Sequence, residues 1–434
     1  MMQRLRAALE RFRGEALYGV ATAMTSVVAI IGSVVAARFL HPVDMGIMQT
    51  LMLIPLYAAF LQFGVFNGLN RDIAFYRGRG DENKVQRMVN CSWTVAKAVA
   101  GAGVGIGLAV AVYYWSSAAP ALYLWGTIFV LVTLIAEPLS MHLEVVYQSS
   151  RSFRPLAVRV ILQNLVTLLG SLLPAIAGAG GFVASRVVAA VSRLLFRWVG
   201  VPIRATGPGS REETLELARV GLPLLITGTL YSYMGAADRS VIAFFMSAED
   251  VGQYSLAGLA VTGIQFLPMV VATLLYPRVA GTYGRTGNAH SLRRYFWILL
   301  GLGVAAVVPI CLAAFFLVRP VTEWFLPAYS AGIPAAQLAS LASLTFIYYG
   351  LTSIIAVMRR NTQFILAIAL SLALIWLLGG YWVRQGHGII GAVWARAIAS
   401  TFLCGFTIGF AYWLTRSTGD SNGLDKDPPL PSVT

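Results

Sequence analysis

Twelve apolar stretches follow one another along the chain, separated by short polar turns. Residues 16–37, 45–70, 98–136, 160–185, 251–277 and 361–383 contain no Asp, Glu, Lys or Arg. A helix crosses a bilayer with about 20 apolar residues, and only helices or closed barrels satisfy their backbone there. The runs lack the two-residue alternation of barrel strands and are rich in Ala, Leu, Val and Gly, so they predict helices. Spans are expected at 16–37, 46–67, 92–115, 121–146, 156–177, 182–201, 219–243, 251–276, 295–318, 334–357, 361–383 and 388–414. The run 98–136 is too long for one helix and breaks at "SSAAPAL"; 324–358 breaks near Pro334.

The polar turns repeat. "RFLHPVDMGIMQ" (38–49) and "FFMSAEDVGQYS" (244–255) align Asp44 with Asp250 and Gly46 with Gly252, 206 residues apart. Past the next span, "YRGRGDENKVQR" and "YGRTGNAHSLRR" align Tyr76 with Tyr283, Gly80 with Gly287 and Arg87 with Arg294. "GAGGFVASR" (178–186) and "GIIGAVWAR" (388–396) align Gly178 with Gly388, Gly181 with Gly391 and Arg186 with Arg396. Each half holds six spans, an even number, so both halves enter the membrane from the same side. Such parallel repeats are related by an axis along the membrane normal, as in other two-lobed transporters. The fold class expected is therefore an all-α polytopic membrane protein, about twelve helices in two six-helix lobes. Residues 1–15 read as a cytoplasmic amphipathic in-plane segment and 16–204 as the N-lobe. A cytoplasmic linker (205–218), the C-lobe (219–416) and a disordered cytoplasmic tail (417–434) follow. The Asp before Gly in the first repeated turn reads as a cap that reverses the chain between spans one and two.

Composition agrees: of 434 residues 58% are hydrophobic and only 12% charged, half the charged share of a soluble domain, about 25%. The net charge of +14 is mostly a topology signal. With the N-terminus inside, 25 of the 32 Lys and Arg fall on inner segments, the outer ones hold only Arg38, Arg239, Arg319 and Arg384, and Lys97, Arg186 and Arg396 fall inside spans. The positive-inside rule then puts both termini in the cytoplasm. This dispersal over seven segments argues against a nucleic-acid-binding face and for contact with anionic membrane lipids. Cys91, Cys311, Cys404 and the four His show no metal spacing, and no cofactor is expected. Paired catalytic carboxylates on sizeable outer loops, as a membrane enzyme needs, are missing, and no filter-like segment suggests a channel. Alternating access between two lobes remains.

The ionisable residues inside spans are then the candidates for substrate and ion sites. Arg186, Arg193, Arg197 and Arg204 are spaced to form one basic stripe on a helix. Arg186 and its mate Arg396 sit at equal depth, where a charge costs up to about 2.5–3.5 kcal/mol. They suit a shared anion site with guanidinium forks on phosphate oxygens, or each ties its own lobe together through carbonyls. Arg193 either snorkels or adds to the anion site. Gln62, Asn67 and Gln265 offer sugar hydrogen bonds or helix–helix contacts. Glu137, before Pro138, is a candidate for coupling to H+ or Na+, or the mark of a kink. Asp238, next to Arg239, is a second coupling candidate or a paired charge.

"ARFLHPVDMGIMQ" followed by "FGVFNGLNRDIAFYRGRGDENKVQRMV" resembles the opening of polysaccharide (O-antigen type) flippases. These belong to the MATE-like multidrug/oligosaccharidyl-lipid/polysaccharide exporter (MOP) superfamily. "DRSVIAFFMSAEDVGQYSLA" and "GHGIIGAVWARAIAS" resemble that family's seventh-span and last-span signatures. The resemblance implies a V-shaped cavity between two lobes in a bacterial inner membrane. It implies movement of an undecaprenyl-pyrophosphate-linked oligosaccharide from inner to outer leaflet for cell-surface polysaccharide biosynthesis, with polymerase and glycosyltransferase partners. A cationic multidrug antiporter of the same superfamily is the alternative, and a membrane glycan polymerase or ligase the more distant one.

Overall fold

The computed structural model describes residues 2–358 and 360–416; of residues 2–12 and Pro277 it describes the backbone alone. The tail 417–434 and Arg359 lie outside the described residues, so the expected disorder of the tail is not addressed.

Among the described residues, eleven helical stretches are long and apolar enough to cross a bilayer. The last, Asn361–Arg416, has 56 residues, about 84 Å of helix at 1.5 Å per residue. It is two helices, α14 (Asn361–Trp382) and α15 (Gly388–Arg416), folded against each other where Gly386 (φ 87°) and Gly388 (φ 57°) turn the chain. The chain therefore crosses twelve times. The other elements are α1 (Met2–Phe39), α2 (Pro42–Leu51), α3 (Leu53–Ala58), α4 (Val65–Gly78), α5 (Glu82–Ser116), α6 (Ala121–Ser149), α7 (Phe153–Gly170) and α8 (Leu173–Trp198) in the N-lobe. The C-lobe has α9 (Arg211–Phe245), α10 (Ala248–Thr286), α11 (Arg293–Phe325), α12 (Ile333–Ala342) and α13 (Thr352–Val357) before α14 and α15.

Backbone geometry reproduces the repeat. Gly178 (φ 53°, ψ −131°) and Gly388 (φ 57°, ψ −147°) take the same conformation. This is a region open to glycine and costly for other residues. Gly80 (φ 76°) and Gly287 (φ 61°) agree likewise. The first repeated turn proves to be a contact as well as a turn. A Cβ on Gly46 would lie 1.6 Å from the Ala248 carbonyl oxygen, and one on Gly252 would lie 1.7 Å from that of Pro42. The starts of α2 and α10 thus cross backbone to backbone, each through the other's glycine. The Tyr329 hydroxyl donates to the Leu40 carbonyl (3.1 Å) and Arg38 to that of Phe325 (2.9 Å), so the lobes are closed at this end. At the opposite end, where the basic loops gather, the first turns of α9 rest on the N-lobe. Lys84 and Arg87 pair with Glu213 at 3.3 and 2.8 Å, and Lys84 pairs with Glu216 at 2.8 Å.

Several boundaries differ from the sequence reading. α1 runs unbroken from Met2 into the first span, Arg13–Phe39. No proline interrupts residues 2–15, and nothing stops the helical ladder there. The irregular linker is 199–210, because Ser210 caps α9 by accepting from the Glu213 amide (3.2 Å); the S-x-x-E spacing is a start signal. Span two is broken: a 3-10 turn (Ala59–Gln62) ends at Phe63 and Gly64, both at positive φ, before α4 resumes. Gly64 then meets Gly221 of α9 so closely that a Cβ on Gly221 would fall 1.8 Å from the Gly64 oxygen. Asp44 is in the first turn of α2, yet the His41 N-cap has no side-chain bond. The capping box forms in the second copy, between Ser247 and Asp250.

Candidate functional site

A cavity of about 320 Å³ lies between the lobes and reaches from Met45, beside the Gly46–Gly252 crossing, along α10 to Gln265. It is walled by α1 (Ala29, Ser33), α2 (Gln49), α8 (Arg186), α9 (Asp238, Arg239), α10 (Tyr254, Gln265) and α15 (Arg396). Three guanidinium groups and one carboxylate are the charges on this wall.

Asp238 is 1% exposed and fully engaged. Arg396 Nη1 donates to Asp238 Oδ2 at 2.5 Å and to the Gly235 carbonyl at 3.3 Å. The Tyr254 hydroxyl donates to the same carboxylate oxygen, and the Arg239 amide donates to Oδ1 at 2.8 Å. A buried carboxylate with donors on both oxygens and a paired guanidinium is the arrangement a low-dielectric interior tolerates. Arg239 itself reaches across to the N-lobe, donating to Gln49 Oε1 at 2.5 Å. Beside it Tyr57 bonds Ser240 (2.7 Å), and Tyr233 donates to the Tyr57 carbonyl (2.8 Å), so α9 is stitched to span two.

Arg186 differs from its mate. Its guanidinium lies 4.7 Å from the Phe182 ring centroid, its Nε is buried without a partner, and among the described residues no carboxylate pairs with it. The repeat explains why. With the 206-residue offset, the counterpart of Asp238 is Gly32 and that of Tyr254 is Met48. Gly32 lines a small void together with Arg186. The N-lobe keeps the arginine and omits its counter-ion.

The expected candidates thus divide. Arg186, Arg396, Asp238 and Gln265 meet in the cavity between the lobes. Arg193 does not line it; its Nη1 holds Glu137 Oε2 at 2.5 Å. Glu137 and Gln62 border a separate pocket inside the N-lobe. Asn67 borders neither, and its Oδ1 is buried without a partner. The four-arginine stripe is shorter than its spacing suggested, since α8 ends at Trp198 and Arg204 lies in the linker. Arg197 pairs with Glu144 at 2.8 Å. The sequence reading missed Arg239, placed there on an outer segment, and gave no role to Tyr254 or Gln49. Asp238–Arg239 interrupts an otherwise uncharged span, which is a signal; Tyr254 and Gln49 acquire meaning only where α10 and α2 meet α9.

The sequence profile of the polysaccharide biosynthesis protein family matches residues 35–329, more than half of the chain. Among curated proteins none matches the sequence. The fold is shared with a multidrug resistance MATE family transporter of the MOP superfamily in an inward-facing conformation. That likeness has 13% identity and TM-score 0.71, over 91% of this chain and 96% of that one. It is shared also with the lipid II flippase MurJ in an inward closed conformation, at 14% identity and TM-score 0.65, over 92% of this chain and 90% of that one. A further match is a MATE in a bent conformation, at 13% identity and TM-score 0.61, over 94% and 96%. The chain belongs to the polysaccharide biosynthesis protein family; it is a multi-pass membrane protein whose fold is shared with these MOP-superfamily structures.

Proposed function

We propose that this protein flips a lipid-linked oligosaccharide, polyprenyl-pyrophosphate-linked and of the undecaprenyl type, from the inner to the outer leaflet of a bacterial cytoplasmic membrane. The observation that carries the reading is the charge of the cavity between the lobes: Arg186, Arg239 and Arg396 against Asp238 alone. Such a substrate has a tail that stays in lipid and a pyrophosphate and glycan that do not. A guanidinium that lines the cavity without a carboxylate partner among the described residues, as that of Arg186 does, offers a bidentate grip on phosphate oxygens. The sugars would meet the polar neutral groups deeper in the cavity, Gln265 among them. Both termini face the cytoplasm in this reading, and the Gly46–Gly252 crossing lies at the outer end. Alternating access then requires the Gly46–Gly252 crossing to part. Polymerase and glycosyltransferase partners would consume and supply the substrate.

The likeness to a multidrug MATE transporter favours a second reading, efflux of organic cations. A cationic drug would want carboxylates in the cavity, and Asp238, the one among the described residues lining it, is occupied by Arg396 and Tyr254. Proteoliposomes decide between them. Protein-dependent leaflet transfer of an undecaprenyl-pyrophosphate glycan, with no efflux of a cationic dye, is expected. Dye efflux without glycolipid movement would overturn the proposal.

A further inference from the structure

A cavity of about 90 Å³ lies at the basic end of the N-lobe, between α5, α6, the last turn of α8 and the linker 199–210. The linker forms one wall because α5 holds it at three levels. Gln86 Nε2 donates to the Arg204 carbonyl at 2.8 Å, the Thr206 amide donates to Asn90 Oδ1 at 2.9 Å, and the Gly209 amide donates to Thr94 Oγ1 at 3.0 Å. Against this wall stand three rings: the centroid of Trp93 is 5.1 Å from that of His142 and 5.4 Å from that of Trp198. His142 is 2% exposed, and its Nδ1 lies 2.9 Å from the Ser92 hydroxyl. Ser92 is fully buried and makes no other hydrogen bond among the described residues. Its proton therefore goes to Nδ1, since accepting from that nitrogen would strand it. The ring proton then sits on Nε2, which has no partner among the described residues. The two indoles are donor-only as well, and Arg204 brings a guanidinium that no carboxylate pairs among the described residues. The other side chains of the lining are apolar, Val201 and Ile203 among them, so none is a hydrogen-bond acceptor.

Side chains that only donate call for an anion, and a guanidinium beside N–H groups suits phosphate oxygens. The volume matches about three liquid waters at about 30 Å³ each, enough for a phosphate group and too little for a nucleotide or a sugar phosphate. Trp198, 49% exposed on the last turn of a spanning helix, opens the site to lipid at headgroup level, where indoles concentrate. We propose that this cavity binds the phosphodiester of an anionic phospholipid, of the phosphatidylglycerol type, in the leaflet at the basic end. Arg204 meets its single negative charge, His142 Nε2–H and the indoles meet its oxygens, and Val201 and Ile203 meet the first carbons of the glycerol. Choline and ethanolamine headgroups carry an ammonium too, for which the lining holds no carboxylate. A phospholipid seated here braces against α5 the linker that joins the two lobes. The site is independent of what crosses between the lobes, and its test contains no glycolipid.

The test is native mass spectrometry of the purified full chain in detergent with phosphatidylglycerol or phosphatidylcholine added, paired with unfolding midpoints in each lipid and in inorganic phosphate. Retention of one phosphatidylglycerol at least fivefold over phosphatidylcholine is expected, with a midpoint that phosphatidylglycerol raises. Arg204→Gln and Trp198→Leu, both at exposed positions, should each weaken retention at least fivefold in protein that stays monodisperse. Arg154→Gln, at an exposed arginine outside the cavity, should leave it unchanged. Equal retention of the two lipids overturns the proposal. So does an equal loss in Arg154→Gln and Arg204→Gln, the mark of diffuse attraction to the basic end. Protection by inorganic phosphate with no lipid retained would give the cavity to the free ion and overturn the lipid occupant.

Discussion

Asp238 holds Arg396 at 2.5 Å, whereas Gly32, its counterpart in the other lobe, leaves Arg186 without a counter-ion. A sequence repeat has thus been made electrically unequal by one side chain, and the cavity between the lobes is left cationic.

Restoring the symmetry should abolish the proposed glycolipid transfer. Gly32→Asp places a carboxylate beside Arg186; a Cβ there would lie 3.3 Å from Ser171 Cβ, a contact relieved by a small shift. Glycolipid transfer is expected to fall at least tenfold at unchanged folded yield, with Gly32→Asn, similar in size but uncharged, keeping most activity. Wild-type transfer by Gly32→Asp would remove Arg186 from substrate binding.

The two arginines should separate in a stability assay. Arg186→Gln removes a charge without a partner, so the unfolding midpoint should hold or rise while transfer is lost. Arg396→Gln strands Asp238 in the interior and should cost about 3–5 kcal/mol. Adding Asp238→Asn should recover part of that loss, which a double-mutant cycle in denaturant measures.

The glycine crossing should govern the closed end. Gly46→Leu cannot coexist with the Ala248 carbonyl and should shift the population towards parted lobes. Cys91, Cys311 and Cys404 are buried, so a cysteine replacing Ser255 in the cavity reports access. Labelling by an impermeant thiol reagent added at the closed end should rise in Gly46→Leu and stay low in the parent.

The Arg197–Glu144 pair, with Tyr18 donating to Glu144 at 2.8 Å, lies outside the cavity between the lobes. Glu144→Gln should therefore destabilise by about 2 kcal/mol, read as a lowered unfolding midpoint, and leave transfer per folded molecule unchanged.

Candidate residues were legible in the sequence to different degrees. Arg186, Arg396 and Asp238 stood out because a charge within an apolar span is costly wherever it points. Their partners did not. Arg193 seemed to belong with Arg186, since both lie on one helical face, until Glu137 on α6 proved to hold it. Gln62, Asn67 and Gln265 looked alike as polar residues in spans, yet only Gln265 reaches the cavity between the lobes.

By itself the sequence determined the twelve crossings and the two-lobe repeat. Apolar length, loop charge and recurring glycines are one-dimensional signals that a bilayer reads directly. The tertiary structure decided which charges are neutralised and where the lobes touch. Asp238 meets Arg396, and Gly46 meets Gly252, across intervals of 158 and 206 residues. Such meetings depend on how helices rotate and cross when they pack, and no local spacing encodes that rotation.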